Sequence, residues 1–243
     1  MIYLELERSA EQKITGIKDG TTQSYLSKDF FDKNPEIHSY IISNRANYFS
    51  GILPENDKNL IGLPLCKGAK VTDFISVGGL LGLVMSSKLK DIFEKANLPK
   101  HKFFPTSFIF EDKPNIHLGE YWWLLYELER GENIDFVESK FEISENDKNE
   151  FSWLKHFEIN NIEDYEKVRL EIGTAAPASK LVFKSSFNTE LDIWGTYPFA
   201  NRCYISDRLV EKLKMNKITN YEVVNPLKKY LMPIVPPCEL IFK

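Results

Sequence analysis

Few side chains in this sequence combine a reactive type with a suggestive spacing. The four histidines, His38, His101, His117 and His156, all stand outside helical or hairpin spacing of one another. No His-Glu-x-x-His pattern and no close Cys/His cluster occurs, so no zinc site is expected and each histidine reads as structural or superficial. Cys66 precedes Lys67, whose ammonium could lower the thiol pKa and make a nucleophile. A lone cysteine is more often inert, and that is the reading here; Cys203 is assigned to the core. Gly78-Gly79-Leu80-Leu81-Gly82 leads into a serine and a helix, as a phosphate loop would. It lacks both the G-x-G-x-x-G and the Walker spacing, and leucines fill it, so a tight turn is expected. No G-x-S-x-G elbow is present. Asp135 and Glu138, with Glu132 nearby, could serve as an acid–base pair of the glycosidase kind. Carboxylates in a polar stretch are usually solvated, so catalysis is disfavoured. No metal and no cofactor is expected.

The elements that must position these groups include one pattern that appears twice. Residues 84–98 and 204–218 each read as an apolar strand end, a serine-led helix start, about three helical turns and a return to apolar sequence. Ser86 aligns with Ser206, Leu89 with Leu209, Phe93 with Leu213 and Leu98 with Ile218. Duplication and a chance likeness of two amphipathic helices both account for the pattern. In the first helix, set at 87–97, Leu89, Ile92, Phe93 and Ala96 form one apolar stripe and Pro99 marks the end. The second is set at about 206–216. Tyr121–Tyr126 is apolar on both faces, as a central, doubly covered strand requires, and Trp122 and Trp123 are assigned to core rather than to a groove. Further strands are expected at 2–7 (edge or half-buried), 37–43, 103–110, 140–144, 151–159, 165–172, 180–184, 191–196 and 219–224, with a short helix near Ser27–Lys33. The fold class is therefore α+β: a strand-rich, mixed or antiparallel sheet with two principal helices. One domain over 1–243 is expected; an internal boundary, if one exists, falls near residue 68.

Composition supports that reading and narrows the function classes. The hydrophobic fraction is 43% and the charged fraction 27%, ordinary for a globular chain, while aromatics at 13% favour packed strands. A net charge of −4 argues against a broad nucleic-acid surface. Between Glu127 and Glu171 the sequence carries 14 acidic and 6 basic residues. Such a segment suits either a basic partner or a solvated edge. Three widely spaced cysteines without a CxxC pair point to a reducing compartment. The N-terminus lacks a signal-peptide pattern, and the longest nearly apolar run, Phe74–Met85, is too short for a membrane span, so the expected location is cytoplasmic.

Taken in order, these segments resemble a bacterial family of predicted immunity proteins from polymorphic toxin systems, long catalogued as a domain of unknown function. The resemblance runs through Asp73-Phe74-Ile75, Met85–Phe93, Tyr121–Leu125, Ile134–Ser139, Tyr204–Leu209 and Ile218–Glu222, and so covers roughly residues 70–225. A Gly-rich turn usually closes the last helix in such proteins; here Asn216-Lys217-Ile218-Thr219-Asn220 stands in its place. The resemblance implies a non-enzymatic role, binding a cognate toxin domain and blocking it; from charge and hydropathy, no nucleic-acid or membrane partner is expected. The candidate face is acidic: Glu129, Glu132, Asp135, Glu138, Glu142, Glu145 and Asp147. The alternatives are a small-molecule hydrolase with a site assembled from distant residues, and a ligand-binding accessory protein.

Overall fold

Ser86 and Ser206 both cap helices, and the units they open turn out to be copies of one motif. The structure is a computed structural model. It describes residues 2–18, 20, 22–44, 47–48, 51–147, 150–172, 177–197, 199, 202–227 and 237–243, with the side chains of 143–156 and 172 outside the description.

In the first unit β4 (Phe74–Ile75) pairs antiparallel with β6 (Leu83–Ser86), which runs into α4 (Ser87–Phe93). In the second, β12 (Ile193–Gly195) pairs antiparallel with β13 (Cys203–Ser206), which runs into α6 (Asp207–Met215). The registers match: Phe74 lies opposite Met85, and Ile193 opposite Ile205. Each serine hydroxyl accepts from the N–H three residues on, Leu89 at 3.3 Å and Leu209 at 3.1 Å, and so satisfies a free helix donor. The same hydroxyl donates to an aspartate just before the first strand, Ser86 to Asp73 Oδ1 at 2.9 Å and Ser206 to Asp192 Oδ1 at 2.5 Å. A third strand completes each unit. β8 (Lys113–Tyr126) sets Tyr121 opposite Ser86, and β1 (Tyr3–Glu7) sets Tyr3 opposite Ser206. Each tyrosine hydroxyl donates to the carbonyl preceding the aspartate, Thr72 O at 2.7 Å and Leu191 O at 2.9 Å.

The units are also interlocked. Asp73 Oδ2 accepts the N–H of Thr219, beyond the second helix, at 2.9 Å. Asp192 Oδ2 accepts the N–H of Asn97, beyond the first helix, at 2.8 Å. Reciprocal contacts of this kind are those of a two-fold, isologous pair. Lys217 and Asn220 adopt left-handed φ of 51° and 65° after α6, filling the backbone conformations for which a glycine turn would otherwise be used.

Around these units the chain forms three sheets, in order β12-β13-β1-β14, β10-β9-β11-β15 and β4-β6-β8-β7-β3-β2-β5. The remaining strands are β2 (Ser24–Tyr25), β3 (Leu60–Leu65), β5 (Val77–Gly78), β7 (His101–Phe110), β9 (Lys140–Asp147), β10 (Glu150–Phe157), β11 (Ala178–Phe183), β14 (Glu222–Val224) and β15 (Glu239–Phe242). Parallel pairs such as β3 with β7 and β11 with β15 make the sheets mixed, and the fold is α+β. The seven-stranded sheet takes strands from both sides of residue 68.

Alternating side chains serve two cores from one strand. Trp123 and Leu125 pack under the N-terminal helices, while Leu124 joins Leu89, Phe93, Leu209 and Leu213 between the two units. Tyr204 faces a third, aromatic core with Trp194, Phe183 and Phe141, and its neighbour Ile205 faces the core between the units. Trp123 is fully buried, as expected of the doubly covered strand. Trp122 is half-buried and donates through Nε1 to Ser87 Oγ at 3.1 Å.

Several sequence expectations are corrected. Residues 37–43 are not a strand but α3 (Pro35–His38) followed by a π-helical turn, Ser39–Ser43. Pro35 opens this helix, and Ile37 and Ile41 fall four apart on its buried side. Residues 165–172 belong to α5 (Ile162–Ile172). Asn161 caps it by accepting from Asp164 N at 2.8 Å, and Ile162, Tyr165 and Val168 pack together at three-residue spacing. The first principal helix ends at Phe93 rather than 97, short of Pro99. The strand at 2–7 is interior, between β13 and β14, not an edge. The expected helix at 27–33 is α2 (Lys28–Lys33), capped by Ser27; α1 (Gln12–Thr15) is a short turn before it. Among the described residues no helix is long and apolar enough to cross a membrane.

Candidate functional site

The acidic segment that follows β8 is divided among three local roles. Glu129 is an internal staple: Oε1 accepts from Gly131 N at 2.8 Å and Asn133 N at 3.0 Å, and Oε2 from Asn133 Nδ2 at 2.7 Å. Gly131, with φ 115°, allows this turn. Glu132 is exposed and accepts from Arg130 N at 3.2 Å. Asp135 and Glu138 share one cation, Lys243 Nζ, 2.8 Å from each. The hydrogen bond from Lys243 holds the Asp135 carboxyl below the usual carboxylate range. A general acid needs the opposite shift, so this pair is an ion-paired surface cluster rather than a poised acid and base. Glu142 is half-buried on β9, and its N–H donates to Pro177 O at 3.0 Å. Glu145 and Asp147 lie on the same strand, opposite Ser152 and Glu150 in register, with side chains outside the described residues.

Glu129 and Glu132, together with Glu127, line a groove of about 320 Å³ whose opposite wall is Phe187, Leu191 and Trp194. Arg130 is the one basic side chain among its lining residues. Trp194 is 2% exposed, and its indole Nε1 has no hydrogen-bond partner among the described residues. The carboxylates lining this groove favour a cationic side chain of a partner by charge, while the Trp194 and Phe187 rings are taken up in packing against each other and, for Trp194, against Tyr204.

The other sequence candidates resolve simply. Burial raises the Cys66 thiol pKa, and the nearby Glu111 carboxylate adds to that, contrary to the lowering that Lys67 could have produced. Burial pushes Cys203 up to about 11. The Gly78–Gly82 segment is a turn between β5 and β6. At Gly82, φ is 85° and a Cβ would lie 2.2 Å from Leu124 O, so glycine is required there. Among the described residues, no group of His, Cys, Asp and Glu could hold a metal ion. Sequence reasoning overlooked Asp73 and Asp192 as paired stations. Their signal was an aspartate 13 or 14 residues before each capping serine.

Comparison with known proteins places this architecture. No curated protein matches the chain. The model of the immunity protein family Imm11 matches residues 32–225, which includes both strand–helix units, the central strand β8 and the acidic loop, and begins upstream of the stretch that carries the resemblance. The chain belongs to the Imm11 immunity protein family.

Proposed function

We propose that this protein neutralises a cognate bacterial toxin domain by binding it, without chemistry of its own, and that the acidic groove beside Trp194 is part of the surface it uses. Family membership carries the immunity function and, with it, a protein partner. The groove supports the choice of surface. It gathers Glu127, Glu129 and Glu132 around a concavity floored by apolar side chains, a charged rim into which a basic group of a partner fits. A basic toxin domain, such as a nuclease, is the complement. The setting is the bacterial cytoplasm in a polymorphic toxin system.

The deciding experiment is titration calorimetry between this protein and the C-terminal domain of the large protein encoded beside it. One-to-one binding with Kd on the order of nanomolar supports the reading. Absence of binding at micromolar concentrations removes that partner and turns attention to hydrolase and ligand screens.

A further inference from the structure

A second concavity, a cleft of about 270 Å³, opens at the seam between the two interlocked units and has a different chemistry. Its lining includes Glu5 and Arg8 from the β1 segment, Gly82 from the β5–β6 turn, Thr196, and Arg202 and Cys203 at the start of β13. Arg8 also lines an adjoining cavity of about 120 Å³, so its guanidinium stands between two open spaces.

The guanidinium is poorly matched by the protein. Its central carbon lies 4.9 Å from the centroid of the Phe74 ring, which occupies one face of the cation. That contact engages the face of the guanidinium and not its in-plane N–H donors. Nε is sealed from solvent and has no hydrogen-bond partner among the described residues. The carboxylate in the cleft, Glu5, is engaged by Arg202 Nη1 at 2.8 Å, and both are largely buried. The Tyr126 hydroxyl donates to Cys203 Sγ at 3.2 Å. Burial raises the pKa of both groups, so both stay neutral at physiological pH and offer Arg8 no anion. Two guanidiniums therefore face one carboxylate among the lining residues. Thr196 is 1% exposed, and its hydroxyl also lacks a partner. A sealed guanidinium N–H and a buried hydroxyl, both without partners among the described residues, are costly, and a ligand that satisfies them is favoured accordingly.

We propose that this cleft is an oxyanion socket in which Arg8 receives a carboxylate or phosphate group. The planar fork of a guanidinium matches both groups in bidentate geometry. The volume admits a small free anion or one acidic side chain of a partner, but not a drug-sized ligand. Leu128 lines both this cleft and the acidic groove, but none of the groove's carboxylates lines the cleft.

The test follows the Nε–Hε NMR signal of Arg8 in the whole, isotope-labelled protein. The signal is identified by its loss in Arg8→Lys. Three probes are titrated: inorganic phosphate, acetate and a blocked aspartyl dipeptide. The expected result is a saturable shift at Arg8 without a matching shift at exposed Arg130. Affinity should weaken about tenfold or more in Arg8→Gln, followed by calorimetry. A response to phosphate alone identifies a free phosphate site; a stronger response to the dipeptide than to acetate identifies a side-chain socket. If no probe moves Arg8 saturably, or all arginines move together, the socket does not exist. Should Arg8→Gln fail to fold, the wild-type signal still decides.

Discussion

Asp73 and Asp192 are cross-connected. Each carboxylate gives one oxygen to the serine that caps the helix of its own unit, and the other to a backbone N–H just beyond the helix of the opposite unit. They differ in setting: Asp192 is 2% exposed and also pairs with Arg208, whereas Asp73 is partly exposed and also accepts from Thr219 Oγ1.

Asp192→Ala should therefore be the more damaging change. It strands a buried hydroxyl and a backbone N–H, and a loss of about 3 kcal/mol is expected. Arg208 is partly solvated, so its ion pair adds little to that figure. Asp73→Ala should cost about 1–2 kcal/mol. Urea unfolding of both variants checks the order; equal losses would refute the role assigned to burial.

Stability should fall in acid through Asp192. Burial acts to raise its pKa, but hydrogen bonds from Arg208, Ser206 and the Asn97 N–H outweigh it, and the folded value lies below the ordinary 3.8. A depressed folded pKa gives stability that is fully present above the unfolded value and disappears as pH drops through the folded one. Unfolding free energy should thus decline as pH falls below 3.8, and Asp192→Asn should flatten that decline. An unchanged slope in the variant would assign acid sensitivity to other carboxylates.

Gly82→Ala should destabilise the protein by more than about 2 kcal/mol, because it combines a left-handed φ with a collision against the backbone of the central strand. Gly20→Ala, where nothing lies within 4 Å but φ is 102°, supplies the comparison with strain alone. Thermal unfolding that ranks Gly20→Ala as the worse change would contradict the close approach at Gly82.

Native thiol labelling at neutral pH should be confined to Cys66, and slow there. Its thiol is half-buried and its pKa raised, while burial pushes Cys203 up to about 11 and Cys238 up to about 12. Rapid reaction of Cys203, which is half-buried and lines the Arg8 cleft, would contradict the raised pKa of its thiol.

Charge reversal of the exposed Glu132 and Glu138 to lysine should weaken toxin binding about tenfold and reduce its dependence on salt. Calorimetry at two ionic strengths reads both effects. Unaltered affinity at each would exclude this acidic edge from the interface.

The strand–helix units were legible because capping serines and an apolar stripe are local signals, written within a dozen residues. Ser86, Ser206, Leu89 and Leu209 play their expected parts. Residues 37–43 and 165–172 misled because Ile, Val and Tyr suit strands as well as helices. There the decision came from Pro35, from the Asn161 cap and from which side chains found a core. The Arg8 cleft was not legible. Its lining is gathered from residues 5–8, 80–83, 126–128, 196 and 202–203, and that convergence is a property of the folded chain alone.

The exchange of contacts between the units also bears on how this protein is made. When Asp73 is synthesised, Thr219, which must clasp it, is still 146 residues away along the chain. β1 waits longer still, since its partners are β13 and β14. Neither half can close by itself during translation. The early unit emerges with one oxygen of Asp73 met by Ser86 and the other unmet, and with β1 unpaired on both sides, and protection should be acquired late and all at once, when the second helix has cleared the exit.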